Sequence, residues 1–586
     1  MKKAEKSKES KESNKKQFDF RKMSFYQIWI RSFCDGNGDG IGDLYGVYDK
    51  LEYIKSLGVD GIWFSPIYPS PNADYGYDIS NYKDIHPDYG TLEQFKKVLD
   101  RAHELGLKVL LDLVINHTSD EHPWFIESCK GKDNPYSDYY IWRDPHFKGE
   151  TKLPPNNWYS QFEGLAWEYN EQRGQYYLHV FAKKQPDLNM DNPKVREEVK
   201  NIMRFWLDLG VDGFREDVIN FISKVPELPN GWSFVPAING LPFYKDGPNL
   251  CKYLQEFRDV ALEYGAVQIG EAPFTSVKTA LTYIGGRHRV LDMLIQFDTI
   301  LADCFMTEYV YHGFRLRKLK RAFRKWQYGL QGRAWFALYL ENHDHPRVVN
   351  RYGSIQYWKA SGSMLAACYI LQRGTPFLYQ GQELGMTNIA LSSIDKYLDV
   401  AAKNAYNTFY LWESVERRLA RIHVSTRDSA RTPVQWTNGP NAGFTTGKPW
   451  FYVNPNYTFI NAQTEEQDPL SILNFYKRCL ALRKRSRTLL HGTYREYFPL
   501  SSKIYMYERM YTDQGRGLEE RILVVCSFAA HDHSYRMPRG FNYKKAKLIL
   551  DNYISEEEMK AGKTAEAGTL RPYEVQVWKF RKKLSV

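Results

Sequence analysis

Arg215 and Asp217 stand two residues apart in 213-GFREDVIN-220, directly behind an apolar run that ends in glycine and phenylalanine. Charge set so close to an apolar segment marks the end of a strand that opens onto a polar site. A second carboxylate, Glu271, closes 266-AVQIGEA-272, and a third, Asp344, follows His343 in 335-WFALYLENHD-344. Asp112, Asn116 and His117 lie along the end of 108-KVLLDLVINH-117. An ionised carboxylate can attack a sugar's anomeric carbon while a second, protonated one gives its proton to the leaving oxygen. Three carboxylates with histidines and an arginine beside them therefore describe a cleft for glycosidic bond cleavage. Any one of these acids alone reads as a solvated strand end; their joint occurrence does not. Metal-assisted hydrolysis also uses Asp and His, but no compact ligand spacing of the HExxH type occurs. Residues two apart on a strand share a face, so the Arg215 guanidinium is expected to keep Asp217 ionised, while Glu216 turns to the opposite face.

The elements that must position these groups are legible as alternating patterns. Strand-like runs begin at 25-FYQIWIRSF, 60-DGIWFSPIY, 108-KVLLDLVINH, 211-VDGFREDV, 266-AVQIGEA, 290-VLDMLIQFD, 335-WFALYLENHD and 376-PFLYQGQE. Amphipathic stretches such as 92-LEQFKKVLDRAHELG and 195-VREEVKNIMRFWLDLG lie between them and stop at glycine. Eight strands each followed by helical sequence predict an α/β fold, a closed (β/α)8 barrel whose active site lies at the C-terminal strand ends. Residues 117–187 are too many for a loop and predict an inserted subdomain after strand three. From 497 to 586 the pattern becomes short alternating runs, such as KIYMYERMY and RILVVCSF, and predicts a C-terminal antiparallel β domain. The barrel then comprises 21–116 and 188–496.

With 586 residues, 43% apolar and 25% charged, the body is expected to be globular. Much of the +11 formal charge is local, because the first sixteen residues hold seven lysines and three glutamates. That composition predicts a disordered basic tail over 1–20. It lacks the apolar middle of a secretory signal, and no later run is apolar enough to span a bilayer. The seven cysteines are scattered and read as free thiols in a reducing compartment. These features predict a cytoplasmic protein, a monomer, with an oligosaccharide as its small-molecule partner and neither nucleic acid nor membrane as a partner.

The segments 112-DLVINH-117, 213-GFRED-217, 270-GEA-272 and 342-NHD-344, in that order, resemble the four short conserved regions of the α-amylase superfamily of glycoside hydrolases. The resemblance runs from about Phe25 to the C-terminus. It narrows with 76-GYDISNY-82, 185-QPDLN-189, 374-GTPFLYQGQELGMTN-388 and 431-RTPVQW-436, which are similar to the branch holding oligo-1,6-glucosidase, dextran glucosidase, trehalose-6-phosphate hydrolase and sucrose isomerases. By that match Asp217 is the nucleophile, Glu271 the general acid and base, and Asp344 the third acid, which holds ring hydroxyls. The match implies a retaining mechanism, with the two carboxyl groups about 5–5.5 Å apart. It further implies sugar contacts at His117, His343, Phe162, Arg215 and Tyr77, with Tyr77 stacking on the ring. Asp74 and Arg431 match a pair that clamps a terminal glucose and closes the pocket. Valine after the nucleophile, here Val218, goes with α-1,6 bonds in this branch. A branched apolar side chain suits the CH2 of a 6-linked sugar better than a ring hydroxyl.

In 35-DGNGDGIGD-43, Asp35, Asn37, Asp39 and Asp43 offer side-chain oxygens and Ile41 its carbonyl, at the alternate positions that open an EF-hand loop. The twelfth position is Gly46, so a full EF-hand is excluded; similar loops in the family bind a structural, non-catalytic Ca2+. Three positions depart from the family pattern: His345 for glutamine or asparagine, Leu165 for serine, and Met190 for tryptophan. The rival readings are a sucrose-active or transglycosylating enzyme, a hydrolase of a phosphorylated disaccharide, and a catalytically silent amylase-like protein. Where sucrose isomerases carry an arginine-rich motif, this chain has 296-QFDTILADC-304, which favours hydrolysis.

Overall fold

The computed structural model describes residues 17–162, 164–235, 238–541 and 543–584. Eight parallel strands form one sheet: β1 (Phe25–Ile28), β2 (Gly61–Phe64), β3 (Lys108–Leu113), β4 (Gly213–Glu216), β5 (Val267–Glu271), β6 (Met293–Ile295), β7 (Ala337–Leu338) and β8 (Thr375–Tyr379). Their order is 6-5-4-3-2-1-8-7, and a parallel bridge from Leu294 to Phe336 joins β6 to β7 and closes the barrel. Every expected strand is present. The helices that follow them are α1 (Leu44–Ser56), α2 (Leu92–Glu104), α3 (Pro193–Leu209), α4 (Leu250–Tyr264), α5 (Val277–Ile284), α6 (Leu316–Leu330), α7 (Trp358–Ile370) and α8 (Ile472–Arg485).

Local sequence explains the helix limits. Thr91 and Gln94 form a reciprocal capping box at the start of α2, whose Phe95, Val98, Leu99 and Ala102 make one buried stripe. In α3, Asn192 caps, Pro193 occupies the first turn, and Gly210 ends the helix at φ 109°. Gly213 opens β4 because a Cβ there would stand 2.2 Å from the Val267 carbonyl oxygen. Only glycine lets β4 and β5 approach so closely.

Alternation divides the barrel into an inside and an outside. Phe25, Trp63, Leu110, Val267, Ile269, Met293, Ala337 and Phe377 fill the interior, with Phe20 in the same cluster. Ile28, Ile62, Val109, Leu111, Phe214 and Leu378 face outward onto the helices. Glu216, on the outward face as expected, is fully buried; it accepts a 2.7 Å hydrogen bond from Gln268 Nε2, and its other oxygen has no partner among the described residues. Burial pushes its carboxyl up to about 8, opposed by Gln268 and increased by nearby Asp292. An acid protonated more readily when folded contributes its stability in full below its unfolded value, near 4.5, and loses it as pH rises to about 8. Each pH unit in that window is worth about 1.4 kcal/mol. Glu216→Gln is therefore expected to flatten the fall of Tm from pH 5 to pH 8, as read by scanning calorimetry. An unchanged slope would contradict this account.

The insertion is present after β3. Strands Trp142–Arg143, Gln175–Leu178 and Trp167–Asn170 pair in that order, and a bridge between His117 and Asp187 ties its two ends together. The C-terminal sheet begins at Thr493, four residues before the expected boundary. Its strands are β9 (Thr493–Tyr497), β10 (Ile504–Asp513), β11 (Leu518–Ser527), β12 (Lys547–Asp551) and β13 (Val575–Lys583), in the order 9-10-11-13-12. The tail expected over 1–20 falls on residues 1–16, outside the described residues, and on 17–20, which are packed. Gln17 donates to the Ala266 carbonyl and to Asp292, and Phe20 is buried. All seven cysteines are unpaired. Among the described residues no helix is long and apolar enough to cross a membrane.

Candidate active site

The alternation that stacks Leu110, Val267 and Ile269 inside the barrel places Asp112, Arg215 and Glu271 on the same inward face at the C-terminal ends of β3, β4 and β5. Asp217 follows just beyond β4, its N–H bonded to the Leu113 carbonyl at 3.1 Å. Val218 then adopts a left-handed conformation, φ 34° and ψ 41°. For a β-branched residue this costs on the order of 1–3 kcal/mol. Val218 belongs to a buried cluster with Trp158, Phe221 and Tyr244, and its N–H donates to Glu271 Oε2 at 3.3 Å. The strained backbone turns that amide towards Glu271.

One fully buried guanidinium serves three carboxylates. Arg215 Nη1 donates to Asp112 and to Asp217, each at 2.7 Å, and Nη2 donates to Glu271. Its carbon lies 5.1 Å from the Trp63 ring centroid. With all three acids ionised this cluster would carry a net charge of −2 away from water. Burial lifts Asp112 to about 6 against the Arg215 guanidinium. Burial also lifts Asp217 well above the usual carboxylate range, with Glu271 and Asp112 adding to the rise and Arg215 opposing it. The contact expected between Arg215 and Asp217 is present, but burial among neighbouring acids outweighs it. Desolvation and the neighbouring acids thus favour the neutral form of Asp217, and the Arg215 guanidinium favours the charged one.

Asp344 is poised differently. His343 comes within 2.9 Å of it through Nε2, while Nδ1 takes a 2.8 Å contact from Gln27 Nε2 on β1. Burial lowers the imidazole below its ordinary value. Arg431 Nη2 and Arg427 Nη1 contact Asp344 at 3.0 and 3.3 Å. Burial alone would raise Asp344, yet His343, Arg427 and Arg431 together hold it well below the usual range. It stays ionised, with 31% of its side chain exposed.

Asp74 and Arg431 converge on Asp344 but do not pair directly; Arg427 makes the link, lying 3.5 Å from Asp74, 3.3 Å from Asp344 and 2.8 Å from Asp399. Its guanidinium also sits 5.0 Å from the Phe162 ring centroid. Asp74 takes a further bond from Gln185 at 3.2 Å, and burial lifts it to about 6 against Arg427 and Arg431. Arg427 escaped the sequence reading because it stands four residues before the 431-RTPVQW-436 motif in an otherwise polar stretch. Tyr77 stacks on His343, centroids 5.1 Å apart and planes 6° apart, and donates to Asp112 at 3.0 Å. One ring face is thus covered by His343, which leaves the other for the sugar. His117 is buried, its Nε2 3.1 Å from the Tyr77 carbonyl, and burial lowers it to about 4. His345, the departure beside Asp344, lies 2.5 Å from Glu308.

The glycine-rich loop closes on itself. Asp35 accepts from the N–H groups of Asn37, Gly38 and Gly40, Asp43 from those of Gly36, Asn37 and Gly46, and Asp39 from that of Ile41. Asp43 is also the N-cap of α1. Among the described residues no three His, Cys, Asp or Glu side chains converge as a metal-holding group. The donors are hard oxygens, which suits calcium, but Asp35 and Asp43 already spend both oxygens on the loop's amides.

Residues 27–492 match the family model for the α-amylase catalytic domain. The chain is 45% identical to an oligo-1,6-glucosidase of Parageobacillus thermoglucosidasius, covering 95% of this chain and 98% of that one. It is 40% identical to a trehalose-6-phosphate hydrolase of Bacillus subtilis (strain 168), covering 96% and 98%. A crystal structure of a trehalulose synthase variant superposes with a TM-score of 0.89 at 39% identity, covering 96% of this chain and 100% of that one.

Proposed function

Because the chain belongs to the α-amylase family of glycoside hydrolases, we propose that it is a retaining, exo-acting α-glucosidase that removes terminal α-1,6-linked glucose from isomaltose and isomalto-oligosaccharides. The single observation that carries the mechanism is the Arg215 guanidinium spanning Asp217 and Glu271, since a planar group of that size keeps the two carboxyls within one sugar's reach. Asp217 attacks the anomeric carbon and Glu271 protonates the leaving oxygen; water then releases the glucose with Glu271 as base. Positive charge developing on the sugar favours the ionised form of Asp217, and the leaving oxygen takes the proton that Glu271 carries as general acid. Asp344, held ionised, bonds ring hydroxyls, and Arg427 and Arg431 close the cleft behind the terminal glucose.

The α-1,6 preference rests on Val218 beside Glu271 and on the names of the more similar relatives. Hydrolysis rates on isomaltose, panose, maltose, sucrose and trehalose 6-phosphate test it, with Asp217→Asn as the control. Isomaltose is expected to be cut at least about tenfold faster than maltose, a difference of about 1.4 kcal/mol. A maltose preference would remove the argument from Val218, and isomaltulose formed from sucrose would make the enzyme an isomerase.

The proposal extends to the 35–43 loop and to the setting. A calcium ion held by Asp35, Asn37, Asp39, Asp43 and the Ile41 carbonyl would draw on lone pairs now shared with loop amides, stiffening the loop without entering the chemistry. Calcium after EDTA treatment is expected to raise Tm by about 2–4 °C, with no change in kcat and no response in Asp39→Ala. Equal Tm with EDTA and with calcium would discard the ion. The unpaired thiols support a reducing, cytoplasmic setting, and sedimentation is expected to give a monomer.

A further inference from the structure

We propose that the end of the barrel opposite the cleft carries a binding site for a small diphosphate-bearing anion. A cavity of about 400 Å³ opens there, lined by Arg21, Arg289, Arg333, Arg373, Asp292 and His491. The arginines come from the segments that lead into β1, β6, β7 and β8, and His491 from the turn into β9, so the barrel floor and the C-terminal domain build it jointly. The volume lies in the range of small-molecule sites and exceeds what one inorganic phosphate needs.

The charges facing this space do not cancel. Asp292 is its one acidic lining residue, and it is buried and already engaged by Arg258 at 2.8 Å, Arg289 at 3.1 Å and Gln17 at 2.7 Å. Among the described residues no carboxylate forms an ion pair with Arg21, Arg333 or Arg373. Arg373 lies with its guanidinium carbon 4.6 Å from the Trp335 ring centroid, and its Nη2 donates to the Ala334 carbonyl at 2.8 Å. Its Nη1 is buried and has no hydrogen-bond partner among the described residues. Burial and the nearby Arg21 push Arg373 down to about 10, in keeping with a positive potential that nothing local neutralises. Guanidinium forks match phosphate oxygens in pairs, and several converging on one concave surface favour a doubly phosphorylated group over a single carboxylate.

The test uses the full-length protein and inorganic pyrophosphate, by titration calorimetry and thermal unfolding at constant ionic strength. Saturable binding is expected with Kd below about 1 mM, together with a saturable rise in Tm. Arg333→Gln, at an exposed position whose loss leaves the fold intact, and Arg373→Gln are each expected to weaken Kd at least tenfold. Arg333→Gln should hydrolyse glucosides at the wild-type rate, and Asp217→Asn should bind pyrophosphate as the wild type does. A Tm response matched by chloride, or an unchanged Kd in Arg333→Gln, would overturn the site.

Discussion

Asp217→Asn is expected to lower kcat on isomaltose by at least about 10⁴-fold, some 5.5 kcal/mol in barrier height, while raising Tm. The amide keeps the shape of the carboxyl and can still accept from Arg215 Nη1, so the fold is not asked to change. It cannot attack a carbon, which removes the covalent step. Stability should move the other way because Asp217 is buried among Asp112, Glu271 and Asp344, and their charges oppose its ionisation. A neutral group relieves that repulsion, as expected where an active site is assembled at the expense of stability. Azide added to Asp217→Gly should restore turnover and give a glucosyl azide of inverted configuration, since a small anion then occupies the nucleophile's place. Activity of Asp217→Asn above about one per cent of wild type would remove it from the nucleophile's role.

Arg215→Lys is expected to cost both activity and stability. Lysine keeps the charge but offers a compact ammonium in place of a planar fork. Arg215 uses two nitrogens to reach three acids, Asp112 and Asp217 from Nη1 and Glu271 from Nη2. An ammonium cannot hold that geometry, so at least one buried carboxylate loses its cation, at about 3–5 kcal/mol. kcat should fall by on the order of 10²–10³-fold, as when a positioned charge is lost from a dry site. Calorimetric Tm and kcat together check the result. A variant with wild-type Tm and kcat would mean that the three acids do not depend on the guanidinium.

Much of this protein was legible before folding. Seven of the barrel strands lie within the apolar runs and β8 begins one residue ahead of its run, at Thr375; the helices between them begin and end at their own caps, such as Thr91 and Gly210. Asp112, Arg215 and Glu271 at the ends of β3, β4 and β5 point inward, and Glu216 outward, because side-chain direction in a strand repeats every two residues. Where local pattern was ambiguous the boundaries moved. The run 335-WFALYLENHD-344 contains a strand of only two residues, Ala337–Leu338, and the last domain's sheet starts at Thr493.

Local pattern determined the strands, the helices, the mouth at which the chemistry gathers and the order of the acids, since each depends on neighbours a few positions away. Tertiary structure alone decided how the charges share one another. Arg427 and Asp74 are 353 positions apart and meet only because the barrel closes. His343 covers one face of Tyr77, and burial among acids raises Asp217 above the usual carboxylate range, through the same closure. Coulomb energy and desolvation depend on distance and burial in space, and neither quantity exists until the chain has brought its ends together.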